Sequence, residues 1–205
     1  MTQGRAPPPV TVLVLAAGAS RRMRGVDKLL EPVAGQPLLR RIVGSALGTG
    51  APVLVALPRN NPARRAALAG LAASIIPVAN TQEGMANTLR KGVAALPRTN
   101  AVMVLLADMP EIDTSDLATM IAVYCTAPQK IHRATSQDGV PGHPVIFPPW
   151  AHDDLLALQG DAGARAVVTK HARAVIAVPL TAAHATTDLD TPEDWAKWRA
   201  ASNGD

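Results

Sequence analysis

The stretch Val10-Thr11-Val12-Leu13-Val14-Leu15-Ala16-Ala17-Gly18-Ala19-Ser20-Arg21-Arg22-Met23-Arg24-Gly25-Val26-Asp27-Lys28 changes character at Leu15. Up to that point apolar and β-branched residues occupy both alternating positions, as a strand buried on both faces requires. Beyond it come small residues in succession, then basic ones. In an open parallel sheet, ligands bind beyond the carboxyl ends of the strands. Small residues let a ligand approach the backbone closely, so that main-chain N–H groups can cradle phosphate. Arg22 and Lys28 could neutralise that phosphate, the one as a planar fork and the other as a compact point charge. The spacing is neither the P-loop pattern nor the dinucleotide fingerprint. A small-residue loop alone is equally well a tight turn; the basic residues at this spacing favour a nucleotide.

Working outward, short apolar runs alternate with segments of helical period. Pro52 to Leu57, Ser74 to Val78 and Ala101 to Leu106 are strand-sized, like Val10 to Leu15. Between them Leu38 to Leu47, Pro62 to Leu71 and Met85 to Leu96 carry apolar residues at mixed spacings of three and four. Asn61-Pro62 marks a helix start, with Asn as cap and Pro at the first helical position. Alternating strand and helix predicts an α/β fold: three layers around a mostly parallel, doubly wound sheet. After Asp108 the rhythm loosens, with helices over Ser115 to Cys125, Asp161 to His171 and Pro192 to Ala201. Strands are expected over Lys130 to Thr135, His143 to Phe147 and Ala174 to Pro179. Residues 10–201 read as one domain, flanked by a flexible tail at 1–9 and a short tail at 202–205.

Composition narrows the classes of function. Aromatic residues make up 2% of the 205 residues, too few for the stacking platforms that read single-stranded nucleic acid. A formal charge of +4 fits an anionic small substrate or a merely soluble surface, and the basic residues form no long run. One cysteine, Cys125, excludes an intrachain disulfide and a cysteine zinc cluster; its apolar surroundings predict a buried thiol. Arg5 ahead of the run Val10 to Ala17 has some features of a signal peptide. The run is short, three prolines crowd its front, and the arginines beyond it belong to the basic loop. A cytoplasmic protein is expected, and no apolar run is long enough to cross a bilayer.

Two acidic groups fall where strands or extended segments end. Asp108 follows the run Ala101 to Leu106, a position suited to Mg²⁺, which prefers one or two carboxylates plus substrate phosphates. In Asp188-Leu189-Asp190-Thr191-Pro192-Glu193-Asp194 the later residues are explained by a helix start: Thr191 caps, and Glu193 and Asp194 favour the N-terminus. Asp188 and Asp190 are not explained that way. Alternation in an extended segment points both to one side, where they could share a cation.

The motif from Leu15 to Lys28 resembles the signature of the molybdenum-cofactor nucleotidyltransferases, within the wider nucleotide-diphospho-sugar transferase-like, Rossmann-like fold. It departs from that signature in one place, because Arg24 stands between Met23 and the glycine, Gly25. Ala107-Asp108-Met109-Pro110 and Asp188-Leu189-Asp190-Thr191-Pro192-Glu193-Asp194 are similar to further family motifs. The resemblance implies that Asp108 and Asp190 are the metal ligands, with Asp188 in a supporting place. Gln82-Glu83-Gly84-Met85-Ala86-Asn87-Thr88-Leu89 resembles the cytidylyltransferase segment that holds base and ribose. Gly142-His143-Pro144-Val145 and Gly160-Asp161-Ala162-Gly163-Ala164-Arg165 resemble the molybdopterin-specific branch, which places acceptor contacts within 130–172.

The resemblance implies a Mg²⁺-dependent enzyme that transfers a cytidylyl group from CTP to the phosphate of molybdopterin, with a molybdoenzyme as recipient. Arg22, Lys28 and Asp108 are then catalytic. Leu15, Ala16, Ala17, Gly18, Ala19, Ser20, Arg22, Lys28, Gln82, Gly84, Met85 and Thr88 bind the nucleotide. Gly142, His143, Asp161 and Arg165 bind the acceptor. Ala17 at the middle of Ala16-Ala17-Gly18 favours CTP over GTP, for which glycine is usual. Guanylyl transfer, a sugar-phosphate nucleotidyltransferase and a non-catalytic carrier of the cofactor remain the alternatives.

Overall fold

The computed structural model describes residues 9–80, 84–160 and 163–202. At its centre is strand β1 (Val10–Leu15), whose Val12, Leu13 and Val14 are fully buried. Val12 and Val14 face one layer of core and Leu13 the other, so the uninterrupted apolar run is explained by helices on both sides. The remaining strands are β2 (Pro32–Val33), β3 (Gln36–Pro37), β4 (Val53–Pro58), β5 (Ser74–Val78), β6 (Ala101–Leu106), β7 (Ile131–Thr135), β8 (Pro141–Phe147) and β9 (Val175–Pro179). The helices are α1 (Leu38–Gly48), α2 (Pro62–Ala67), α3 (Met85–Ala94), α4 (Thr114–Thr126), α5 (His152–Leu156), α6 (Arg165–Lys170) and α7 (Pro192–Ser202).

The main sheet has the order β5-β4-β1-β6-β8-β7-β9, and β2 pairs with β3 in a small separate hairpin. β1 pairs in parallel with β4 and β6, β4 with β5, and β7 with β9. Within the main sheet β8 runs against its neighbours β6 and β7. A tight turn explains that reversal: Ser136 N–H donates to Val140 O, and Gly139 takes φ +82°, a conformation glycine adopts without steric cost. One core layer takes Leu39 and Ile42 of α1, Leu117 and Met120 of α4, and Trp195 of α7. The opposite layer takes Leu89 and Val93 of α3, Leu155 of α5 and Val167 of α6. The three-layer, mostly parallel, doubly wound architecture expected from the sequence is what the chain adopts.

Local departures have local causes. The helix expected over Pro62 to Leu71 ends at Ala67, because Gly70 takes φ +79° and turns the chain. The two-residue strands β2 and β3, joined through Ala34 (φ +49°) and Gly35 (φ +79°), are too short to leave a periodic signal. Of the helix expected over Asp161 to His171, residues Arg165–Lys170 are helical, while 161 and 162 lie outside the described residues. The expectation of a buried Cys125 is corrected: the thiol is exposed. α4 turns Leu117, Met120 and Tyr124 inward at spacings of three and four, and this places the next residue outside. Among the described residues no helix is long and apolar enough to cross a membrane.

The sheet order creates the place for a site. From β1 the chain moves outward to β4 and β5, then returns to pair β6 on the other side of β1. The carboxyl ends of β1 and β6 therefore flank the reversal point, where open α/β sheets leave a crevice.

Candidate active site

β1 hands over to the loop through Ala16, whose N–H donates to Ala56 O at 3.0 Å. Two apolar anchors fix the loop's course: Met23 in a short 3₁₀ turn (Arg21–Met23) and Leu29 in a second one (Lys28–Leu30) are both buried. Ser20 (φ +50°) lies in the left-handed region ahead of the first anchor, and Arg24 (φ +52°) and Gly25 (φ +96°) bend the chain between the two. Arg24, the residue interposed between Met23 and Gly25, thus takes a backbone conformation that glycine would adopt more easily. The Asp27 carboxylate accepts from Leu29 N–H at 3.1 Å and caps the second turn. That turn begins at Lys28 and directs its side chain back into the crevice.

Lys28 Nζ lies 2.5 Å from Asp108 Oδ2 and 2.6 Å from Asp190 Oδ1. Burial alone would pull the ammonium's pKa down, but Asp108 and then Asp190 outweigh it and hold the group above its ordinary value. Arg22 reaches the other Asp190 oxygen at 2.7 Å. Asp108 stands two residues beyond the end of β6, and its carbonyl accepts from Leu189 N–H at 3.2 Å, which ties the 188–190 segment to the strand end. Asp190 is steadied from behind, because Asp194 accepts from the N–H groups of Asp190 and Thr191 at the start of α7. Thr191 Oγ1 accepts from Asp194 N–H at 3.1 Å, so Thr191 is the cap expected from the sequence. Asp188 joins the group: burial first, then the charges of Asp108 and Asp190, push its carboxyl up.

These side chains border a cleft of about 510 Å³. Leu15, Ala16, Ala17, Gly18, Ala19, Ser20, Arg22, Lys28, Gly84, Met85 and Thr88 line it, together with Asp108, Asp188 and Asp190. Every described residue expected to bind the nucleotide therefore lies on one cleft, and Gln82 lies outside the described residues. Among the described residues the N–H groups of Ala17, Gly18 and Ala19 have no protein acceptor, although Ala17 is buried. A buried amide is seldom left so; together with the exposed amides of Gly18 and Ala19 beside it at the strand end, it could receive anionic oxygen. On the opposite wall Gly84 caps α3 with φ +86°. Asn87, absent from the sequence-derived set, donates to Ala79 O and Asn80 O and holds the chain that enters this helix.

The cation chemistry fits the residues present. Asp108 Oδ1 is buried without a hydrogen-bond partner among the described residues, and a positively charged nitrogen already sits between Asp108 and Asp190. Among the described residues no three His, Cys, Asp or Glu side chains form a ready metal cage. Two carboxylates are within the number by which Mg²⁺ is commonly held beside substrate phosphates.

The residues expected to hold an acceptor are placed apart from the cleft lining. Gly142 and His143 lie on β8, and His143 N–H donates to Ala185 O at 2.9 Å. A Cβ at Gly142 would stand 1.8 Å from Ala185 O, so close packing alone requires glycine there. Burial draws the His143 imidazole below its ordinary value, which favours the neutral ring; its Nδ1 has no partner among the described residues. Arg165 opens α6 and is exposed, and Asp161 lies outside the described residues. Sequence reasoning missed Arg133 on β7, whose Nε donates to Gly142 O at 3.2 Å. Burial, then the positive charge of Arg165, lowers its pKa.

The model of the MobA-like NTP transferase domain matches residues 12–175. The bifunctional protein GlmU of Clavibacter sepedonicus is 30% identical over 122 residues, covering 57% of this chain and 25% of GlmU. The chain spans about a quarter of the length of the curated relatives it matches. The crystal structure of Rv0371c from Mycobacterium tuberculosis H37Rv is 27% identical, with a TM-score of 0.81 over 94% of this chain and 98% of Rv0371c. A complex of Rv0371c with manganese from the same organism is 25% identical, with a TM-score of 0.75 over 92% of this chain and 97% of that one. With the family model spanning most of the sequence, and the loop and acidic pair converging on one cleft, the chain belongs to the MobA-like NTP transferase domain family, a family of nucleotidyltransferases.

Proposed function

We propose that this nucleotidyltransferase transfers the cytidylyl group of CTP to the phosphate of molybdopterin and releases pyrophosphate. The observation that carries the proposal is the meeting of Lys28, Asp108 and Asp190 on a cleft also lined by Ala17, Gly18 and Ala19, whose amides have no protein acceptor among the described residues. A triphosphate needs both elements: amides and cations for its oxygens, and carboxylates for its metal. The choice of acceptor is supported by the likeness of Gly142 to Val145 and Gly160 to Arg165 to the molybdopterin-specific branch, within the proposed acceptor region 130–172. The choice of CTP is supported by Ala17, although one methyl group is a modest lever, worth roughly 1–3 kcal/mol in a tight pocket.

In the proposed reaction an acceptor phosphate oxygen bonds to the α-phosphorus, and the bond to the bridging α–β oxygen breaks. Its electron pair leaves with pyrophosphate. A phosphate monoester is largely ionised at neutral pH, its second pKa being about 6, so no general base is needed. The amides of Ala17, Gly18 and Ala19 hold the phosphate chain, while Lys28 and Arg22 neutralise the departing pyrophosphate. Asp108 and Asp190 would hold Mg²⁺, which when bound supplies further neutralisation of the phosphate oxygens. Lys28 must then leave at least one of its carboxylates for the nucleotide, a move its flexible stem permits. On the acceptor side, neutral His143 serves as a hydrogen-bonding group, and Arg133 joins Arg165 as a cation for an anionic ligand. A molybdoenzyme is the proposed recipient of the product.

Calorimetric titration of the purified protein with CTP and with GTP, each with Mg²⁺, tests the proposal. Preference for CTP, lost in Asp108→Ala, supports it and leads to assay of pyrophosphate release with molybdopterin. Preference for GTP replaces cytidylyl by guanylyl transfer. Cofactor binding without pyrophosphate release favours a carrier instead.

A further inference from the structure

Arg64 is charged, yet only 2% of it is exposed. It lies on α2, behind the nucleotide loop and outside the lining of the 510 Å³ cleft. Its Nη1 donates to Ala16 O at 2.6 Å, where the loop leaves β1. Nε and Nη2 donate to the two oxygens of Asp27 at 2.7 Å each, where the loop ends. Between these points Nη2 also lies 3.3 Å from Ser20 Oγ, at the left-handed bend. One guanidinium therefore holds the loop at its entrance, middle and exit.

The local sequence explains why Arg64 can do this. Asn61 caps α2 by accepting Arg64 N–H at 2.9 Å, and Asn61 Nδ2 approaches Asp27 Oδ2 at 3.4 Å. The cap thus fixes the backbone that carries Arg64 and supports the carboxylate it binds. Burial tends to push the Asp27 carboxyl up, but the hydrogen bond and charge of Arg64 outweigh it and hold the group below its ordinary value.

The bond to Ala16 O also sets a direction within the loop. In a planar trans peptide the carbonyl and the following N–H point opposite ways. With Ala16 O turned back to Arg64, the Ala17 N–H must point forward, away from α2. That amide and those of Gly18 and Ala19 have no protein acceptor among the described residues. We propose that Arg64 is a positioning residue for nucleotidyl transfer: it presets the loop so that the amides of Ala17 to Ala19 face the nucleotide phosphates before the nucleotide arrives. Without it the loop would have to be ordered at the expense of binding energy. The proposal rests on the nucleotide reading of the cleft and extends it to a residue outside that cleft's lining.

The test is calorimetry with Mg²⁺ and whichever of CTP and GTP the wild-type protein binds, on Arg64→Lys, Asp27→Asn and the double variant. Lysine keeps the buried charge but cannot reach the loop's entrance and exit together. Nucleotide Kd is expected to rise roughly tenfold or more in Arg64→Lys, the equivalent of about 1.4 kcal/mol, with the far-ultraviolet spectrum unchanged. The double variant should bind no worse than the weaker single one, because both changes break the same link. Millimolar guanidinium should restore binding to Arg64→Ala, an effect that loss of packing alone would not produce. Arg64→Lys binding within about twofold of wild type would overturn the role of Arg64 while leaving the nucleotide site standing. Should Arg64→Lys fail to fold, unchanged binding by Asp27→Asn would overturn it equally. Failure of the wild-type protein to bind either nucleotide would remove the site and the proposal together.

Discussion

Lys28 holds a place that a divalent cation and a triphosphate would both contest. Its ammonium, largely shielded from solvent, is compensated by Asp108 and Asp190. Replacing it by alanine leaves the core anchors Met23 and Leu29 in place, so the fold should persist. The loss falls on the departing pyrophosphate, whose charge then lacks its nearest cation. Lys28→Ala is expected to lower the single-turnover rate of pyrophosphate release by about 100-fold or more, on the scale of removing one electrostatic stabiliser from an active site. An unchanged rate would remove Lys28 from the mechanism. Arg22, 68% exposed at its side chain, should matter less, because solvent already screens it.

Among the elements, β8 and the segment after β9 pack without room to spare. Gly142 approaches Ala185 so closely that a single added methyl group must displace backbone, and the His143–Ala185 hydrogen bond lies next to it. Gly142→Ala should therefore destabilise the protein by about 1–3 kcal/mol, the usual cost of overpacking, read from chemical denaturation. Wild-type stability would show that the segment yields easily. The same packing connects distant functions, since this segment continues into Asp188 and Asp190. A slackened Ala185 contact should weaken metal–nucleotide binding as well as the fold. At α3, Gly92 shows a similar constraint: a Cβ there would meet the Leu13 side chain at 2.5 Å, which fixes how closely the helix can lie on β1.

For the whole molecule, the loop's link through Asp27 should appear in the response to acid. The folded-state pKa of Asp27 lies below the ordinary 3.8. Its stabilising contribution is therefore complete above that value and disappears as pH falls through the lower folded value. Asp27→Asn should lower stability at neutral pH by about 2 kcal/mol, the scale of a charged hydrogen-bonded group. The gap from wild type should narrow below about pH 4. Denaturation curves from pH 7 to pH 2 would measure this, and a gap independent of pH would show that the Asp27 charge does not matter.

How much of this was legible beforehand follows from the range of each signal. Alternating apolar runs, helical spacings and the Asn61-Pro62 start are local properties of the chain, and they determined the order and type of nearly every element. They also determined the doubly wound sheet, since parallel strands need crossovers and buried strands need helices on both faces. The small and basic residues of the loop and the aspartate after β6 were legible because ligands meet such sheets at strand ends. Tertiary structure alone decided that Lys28 would meet carboxylates 80 and 162 positions away. It also decided that Arg64 would join the two ends of the loop, and that burial would draw the His143 imidazole below its ordinary value. Periodicity and turn chemistry report on neighbours along the chain. Charge pairing and burial depend on which strand ends the sheet brings side by side, and those contacts exist only once the fold has closed.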